Sequence, residues 1–291
     1  MIPQKEKICY CFFMIDLHCH STASDGMYRP CELIHLAKEK NISVLALTDH
    51  DTVSGLDEAE KEAAKCGIKF IRGIELNIEW PTGEFHLLGL GLKKISAELQ
   101  GLVENLQENR IKRNESIIEK MRADGIDCDI SDIQKLAAGS VIGRPHFAEY
   151  LVSIKKVKHR QQAFDRYLAK GRPYYEAHQG VNLDEAVVAI KASGGLPVLA
   201  HPLSLYVSWG KIEPVLTDIH ERGVEGLEAY HPGARLVECQ RLEKLAEKLG
   251  FFVTAGSDFH GEKVRADRKL GYTAGGKKID DSYYAGLEKR L

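Results

Sequence analysis

Ile15-Asp16-Leu17-His18-Cys19-His20 sets two imidazoles two residues apart on what reads as a short strand. Side chains alternate faces along a strand, so His18 and His20 point the same way. Two same-facing imidazoles on a rigid strand can grip one divalent cation with little ordering cost. Two histidines alone are more often incidental, so recurrence has to decide. Thr48-Asp49-His50-Asp51, Gly73-Ile74-Glu75, Phe85-His86, Ala200-His201-Pro202 and Ser257-Asp258-Phe259-His260 each follow a short apolar run. Histidines and carboxylates delivered repeatedly at the ends of apolar runs are the ligands of a metal centre, and the chemistry of such a centre is the activation of water.

The elements that must carry these residues come from a chain of ordinary globular composition, 291 residues long with 44% hydrophobic and 28% charged residues. That is enough for one large domain, or one domain with an insertion. The net charge of -2 excludes nucleic-acid binding by bulk basicity. Seven cysteines, without a CxxC pair, read as reduced thiols of a cytoplasmic protein. No apolar run approaches the roughly 20 residues of a membrane span, and no obligate protein partner is evident. Met14 stands just before the first strand, so residues 1–13 read as a loose tail or as sequence upstream of the true start.

Ile42–Leu47 is almost wholly apolar, the pattern of a strand buried on both faces. Pro30 suits the first turn of a helix through about Asn41. Ser54 is a candidate cap for a helix that Gly67 ends. Ile68–Leu76 and Glu84–Leu92 are further strands, with Pro81-Thr82-Gly83 as a hairpin-like entry to the second. From Ser96 to about Lys170 the chain turns charged and helical. Leu99, Leu102, Val103 and Leu106 make one apolar stripe; Ile117, Ile118 and Met121 resume it, and the polar stretch Gln107–Glu115 between them reads as a solvated face. An α/β rhythm returns at Leu183, with strands at Leu196–Ala200, Gly226–Tyr230 and Phe251–Ala255. The tail after Lys263 carries little periodicity. Alternating β and α with apolar strands implies a mainly parallel sheet. An open sheet would not easily converge its first, middle and last strands on one point, so a distorted (β/α)7 barrel is expected, of TIM-like type. Residues 14–98 and 178–291 would build it, and 99–177 would be a helical insertion over its mouth.

In this order the motifs resemble the PHP (polymerase and histidinol phosphatase) family of metal-dependent phosphoesterases. The resemblance implies two or three divalent ions at the barrel mouth. Carried over by position, one takes His18, His20, Glu75 and Asp258. A second shares Glu75 and takes His86 and His201. A third takes Asp25, His50 and His260. Mixed carboxylates and imidazoles suit Mn, Fe or Zn better than Mg. Asp49 faces away from His50 and is assigned an orienting role; Asp51 is left as a supporting or capping residue.

Gly143-Arg144-Pro145-His146-Phe147 and Tyr167-Leu168-Ala169-Lys170-Gly171-Arg172-Pro173 resemble the nucleotide-processing branch. Read alone, the first is a surface turn. The resemblance makes Arg144 a phosphate clamp and His146 a proton donor to the leaving oxygen, with Lys170, Arg172 and His178 as further substrate contacts. His231 reads as structural or solvent-facing, and His35, His159 and His220 receive no function. The implied reaction is attack of a metal-bridged hydroxide on a phosphomonoester of a nucleotide, such as AMP, a nucleoside 3′,5′-bisphosphate or a short 5′-phosphorylated RNA. The alternatives are a histidinol-phosphate phosphatase and a non-catalytic metal or nucleotide-binding module.

Overall fold

The apolar runs become strands. The computed structural model describes residues 14–137, 141–177 and 179–291, so the reading of residues 1–13 and that of His178 lie outside the described residues. The main sheet holds β1 (Met14–Asp16), β2 (Ile42–Leu47), β3 (Lys69–Ile78), β4 (Phe85–Leu90), β5 (Leu196–Leu199), β6 (Gly226–Tyr230) and β7 (Phe252–Ala255), in chain order. Neighbours run parallel, except that β4 is antiparallel to both β3 and β5. The link through Pro81-Thr82-Gly83 is too short for a crossover helix, so the chain can only fold back. The reversal starts β4 at the end where the parallel strands finish. His86, the second residue of its strand, therefore reaches the same mouth as residues that follow theirs.

β1 is shorter than the motif around it: His18 and His20 lie beyond its end, in chain that stays extended. β1 and β7 are not paired strand to strand, but the segments just past them are. Cys19 and Phe259 form a parallel bridge. Asp258 N–H donates to the His18 carbonyl, and His20 N–H to the Phe259 carbonyl, each at 2.9 Å. The result is an α/β fold with a mostly parallel seven-stranded sheet whose two edges meet only at the mouth.

Helices α1 (Pro30–Glu39) and α2 (Leu56–Cys66) cover the first strands. Gly55, not Ser54, is the cap residue of α2, because Ser54 is held back in a turn by the Thr52 hydroxyl; Gly67 ends it at φ 67°. Next come α3 (Ala97–Ala123), α4 (Ile130–Ala137), α5 (Arg144–Ser153) and α6 (Arg160–Ala163), the last running into a π-turn at Phe164–Leu168. Among the described residues no strand of the main sheet lies between β4 and β5, although Val181 bridges Ile78. Helices α7 (Leu183–Ala192), α8 (Ile212–Glu221) and α9 (Leu236–Leu249) restore the alternation. The tail is more ordered than its sequence suggests: β8 (Tyr272–Thr273) pairs with β9 (Lys277–Lys278), and α10 (Ser282–Glu288) packs on β7. Two-residue strands are too short to leave a period.

There are two apolar cores. Leu99, Val103 and Leu106 of α3 belong to the large core of the sheet. Ile117, Ile118 and Met121, further along the same helix, join Phe147, Leu151, Leu168 and Tyr174 in a second. One helix thus spans both. Its middle is a solvated face on one side only, where Glu108, Lys112 and Glu115 are exposed; on the other, Arg113 and Asn114 are buried, Arg110 is half-buried and pairs with Asp51, and Gln107 donates to the Asp51 carbonyl at 3.4 Å. Arg110 and Gln107 on that second side meet Asp51, and Arg113 and Asn114 meet the Ile142 carbonyl. Among the described residues no helix is long and apolar enough to cross a membrane.

Candidate metal centre

Nine side chains that the sequence marks as ligands converge where the strands end. His20, Asp25, His50 and His260 form one set whose ligand atoms lie close together; His18, Glu75 and His201 form another. His18, His20 and Asp258 form a third, and His50, Glu75 and His86 a fourth. Glu75 is the hub. Its Oε2 lies 3.3 Å from Nε2 of both His18 and His20 and 3.0 Å from Nδ1 of His50. Its Oε1 lies 2.9 Å from Nδ1 of His86 and 3.0 Å from Nε2 of His201. Asp258 Oδ1 stands 3.4 Å from His20 Nε2, and Asp25 Oδ1 stands 3.3 Å from His260 Nε2.

These residues fit metal ions. His18 Nε2, both ring nitrogens of His20 and Glu75 Oε2 are fully buried and have no hydrogen-bond partner. Ligands about 2.0–2.2 Å from one ion are separated from each other by roughly 3.0–3.5 Å, which matches the spacings around Glu75. The other ring nitrogens of His18, His201 and His260 are engaged, as ligating histidines require. His18 Nδ1 faces Glu228 Oε1 at 3.0 Å, His201 Nδ1 faces the Ser204 hydroxyl at 2.9 Å, and His260 Nδ1 faces the Asp258 carbonyl at 2.9 Å. The charge balance also asks for cations. Burial opposes a charged His50, yet Glu75 and Asp25 lift it to about 10. Burial, with His260 and His50 alongside, drops His20 to about 3. Burial likewise works against charge on Glu75, but His50, His18 and His86 hold it well below the usual carboxylate range.

The supporting residues explain the geometry. Asp49 does face away from His50: it accepts from Ser21 N–H at 2.8 Å and from the hydroxyls of Ser21 and Ser24, so it holds the turn that carries Asp25. Burial raises Asp49 to about 6 despite those bonds. Asp51 accepts from Asn77 N–H at 3.0 Å and pairs with Arg110 at 2.5 Å. Asp51, His201 and Asp258 have φ of 53°, 26° and 52°, a left-handed backbone that costs on the order of 1–3 kcal/mol each; it carries the His201 and Asp258 side chains into the cluster and the Asp51 carboxylate to Asn77 and Arg110. At Gly256 a Cβ would overlap the Cβ of His18 and stand 2.5 Å from Glu228 Oε1, so only glycine fits.

Glu228 and Arg268 went unread in the sequence, and His231 was read only as structural or solvent-facing. Glu228 holds His18 and also accepts from His201 N–H at 2.9 Å. Its signal is a lone carboxylate inside the wholly buried strand β6. His231 is buried, not solvent-facing: its Nδ1 accepts from Gly233 N–H, so Nε2–H can donate to Asp258 Oδ2 at 3.2 Å. Arg268 lies 3.6 Å from the same oxygen. Glu228→Gln is expected to weaken metal binding about 10- to 100-fold, the usual range for a partner that orients a ligating histidine. Chelator competition measures it, and unchanged affinity would remove Glu228 from this role.

Arg144 and His146 open α5 at the rim. Arg144 lies 3.7 Å from Glu84 and over the Tyr175 ring. His146 Nδ1 accepts from Gly143 N–H at 2.9 Å, leaving Nε2–H as a donor. Burial lowers its pKa although Asp25 pulls the other way. Val141 N–H donates to the Ser24 carbonyl at 2.7 Å and ties this segment to the Asp25 turn. Lys170 and Arg172 are exposed beyond the π-turn, and among the described residues no recorded contact joins their side chains to the cluster.

Known proteins resemble the chain over most of its length. The chain is 37% identical over 245 residues, 84% of its length and 89% of the relative's, to a 5′-3′ exoribonuclease of Haemophilus influenzae. It is 33% identical over 278 residues, 95% of its length and 97% of the relative's, to a 3′,5′-nucleoside bisphosphate phosphatase of Chromobacterium violaceum. A solved structure from Chromobacterium violaceum, described as an amidohydrolase with bound sulfate and no metal, superposes with a TM-score of 0.83 at 32% identity, covering 95% of this chain and 96% of that one. The PHP domain model matches residues 16–172, and the chain belongs to the PHP domain family.

Proposed function

We propose that the protein is a metal-dependent phosphoesterase that hydrolyses phosphomonoesters of nucleotides. The observation that carries this is the set of buried, unpartnered ligand atoms of His18, His20 and Glu75, with Arg144 paired to Glu84, two residues before His86, and His146 within the influence of Asp25. His18, His20, Glu75 and Asp258 would hold one ion, Glu75 with His86 and His201 a second, and Asp25 with His50 and His260 a third. Mn, Fe or Zn suits these ligands. Such ions supply Lewis acidity, lowering the pKa of a water and neutralising phosphoryl oxygens.

The chain's own groups do the rest. The Arg144 guanidinium pairs two phosphoryl oxygens. His146 presents Nε2–H to the leaving oxygen. Its lowered pKa keeps it neutral in the free protein; an adjacent phosphate dianion raises it, the ring then takes a second proton on Nδ1 in place of the bond from Gly143 N–H, and the imidazolium gives its Nε2 proton to the leaving oxygen and returns to the neutral form. The helical segment 99–177 roofs a barrel built from 14–98 and 178–291. The relatives' names, an exoribonuclease and a nucleoside bisphosphate phosphatase, support nucleotides and RNA as the substrate class, and a sulfate in the Chromobacterium structure has the shape of a phosphate. Free cysteines at Cys19, Cys31, Cys66, Cys128 and Cys239 support a cytoplasmic setting.

The test is phosphate release by metal-loaded protein from AMP, 3′-phosphoadenosine 5′-phosphate, histidinol phosphate and a short 5′-phosphorylated RNA. Nucleotides are expected to turn over fastest. Preference for histidinol phosphate, or no release from any of the four, would overturn the reading.

A further inference from the structure

Away from the mouth, three side chains of ligand type meet where α1 and α2 pack together. Glu62 and Cys66 stand four residues apart on α2, so they share a face. His35 of α1 reaches them from across the helix pair. Its Nδ1 lies 3.8 Å from Cys66 Sγ, and its Nε2 lies 3.2 Å from Glu62 Oε1. One ligand atom from each of the three lies within 4.8 Å of the other two.

Packing of the apolar stripes makes this meeting. Leu33, Ile34 and Ala37 of α1 and Leu56, Ala59 and Ala63 of α2 are buried in the large core. His35 flanks one stripe and Glu62 and Cys66 the other, so burying the stripes brings the flanks together at the solvent edge. His35 is exposed, while Glu62 and Cys66 are half-buried. An ion can reach the site, and two helices hold its ligands in place. Lys65 donates to Glu62 Oε2 at 2.7 Å and leaves Oε1 turned to the imidazole. That bond holds the Glu62 carboxyl below its usual range, so the group is ionised.

The donor set names the ion. Thiolate, imidazole and carboxylate are the zinc ligands, at about 2.3, 2.0–2.1 and 2.0–2.2 Å. Around a tetrahedral ion those lengths put sulfur and nitrogen roughly 3.6 Å apart, against 3.8 Å between Cys66 and His35. A thiolate also favours zinc over the harder magnesium, calcium and manganese. We propose that His35, Glu62 and Cys66 bind one zinc-like divalent ion, its fourth position left to water, at a site separate from the metal centre. Binding releases the Cys66 thiol proton, because the thiolate is the ligand. The ion ties α1, which follows the Asp25 turn, to α2, which follows His50.

Sulfur makes the site visible. Among the described residues no cysteine belongs to the ligand sets of the metal centre, and Cys19, between His18 and His20, turns its Sγ to the Ala46 carbonyl at 2.9 Å. Cobalt(II) added to the metal-free, full-length protein should therefore give a sulfur-to-cobalt charge-transfer band from this site. Cys66→Ser and His35→Ala should each abolish that band. Cys31→Ser, one turn earlier on α1, should keep it. As a second readout, zinc should raise the melting temperature of the parent by more than that of Cys66→Ser, since both proteins carry the same metal centre. No charge-transfer band, a band that survives Cys66→Ser or is lost in Cys31→Ser, or equal zinc stabilisation of parent and variant overturns the site.

Discussion

Glu75→Gln will empty the metal centre and lower phosphoester turnover by at least about 10³-fold. The carboxylate faces five imidazoles, three on one oxygen and two on the other. The amide is the same size but neutral, and it turns an N–H donor toward ring nitrogens that need an acceptor or a shared cation. No neighbour can substitute. Asp258 reaches His18 and His20, and Asp25 reaches His260, but among the described residues neither pairs with His86 or His201. Loss of a shared ligand removes several kcal/mol of charge stabilisation, and about 1.4 kcal/mol corresponds to a factor of ten. Metal analysis and kinetics on the same samples check it. A variant that keeps the parent's metal content would show that Glu75 is not a shared ligand, whatever its activity.

What the sequence disclosed of this centre, and what it hid, follows from the range of the interactions. His18, His20, His201 and Asp258 were readable because a strand that buries both faces is a run of apolar residues, and the polar residues past its end are conspicuous; Glu75 is instead the one carboxylate inside β3. His86 needed less luck than it appears: the Pro81-Thr82-Gly83 turn is local, and a short turn forces the antiparallel return that puts the start of β4 at the mouth. Glu228 was hidden because one acid in a five-residue strand also reads as the polar half of an alternating pattern. Arg113 was hidden for a different reason. A helix of 27 residues crosses two cores, and which way its polar middle faces depends on where those cores sit. No spacing within α3 carries that information. Ser54 shows the same limit at short range, since the choice of cap between Ser54 and Gly55 was made by Thr52 rather than by propensity.

Arg144→Ala and His146→Ala separate the rim from the metal floor. Arg144 lies outside the ligand sets, and its recorded contacts are to Glu84 and Tyr175, so its loss should leave metal content intact. Turnover of nucleotides should still fall by roughly 10²–10³, the cost of one preorganised charge on a developing oxyanion, about 2–4 kcal/mol. His146→Ala should behave differently across substrates. The Gly143 N–H bond to Nδ1 fixes the ring so that Nε2–H faces outward, and a proton from that position matters only when the leaving oxygen is a poor leaving group. Nucleotides should lose far more than an activated aryl phosphate, whose phenolate departs without help. Arg144→Ala should depress both substrate types alike, because the phosphoryl group is common to them. If His146→Ala cost the aryl phosphate as much as the nucleotide, the residue would be holding the Asp25 turn through its segment's contact with Ser24 rather than donating a proton. If Arg144→Ala left nucleotide turnover unchanged, Gly143-Arg144-Pro145-His146 would be a surface turn that happens to border the site.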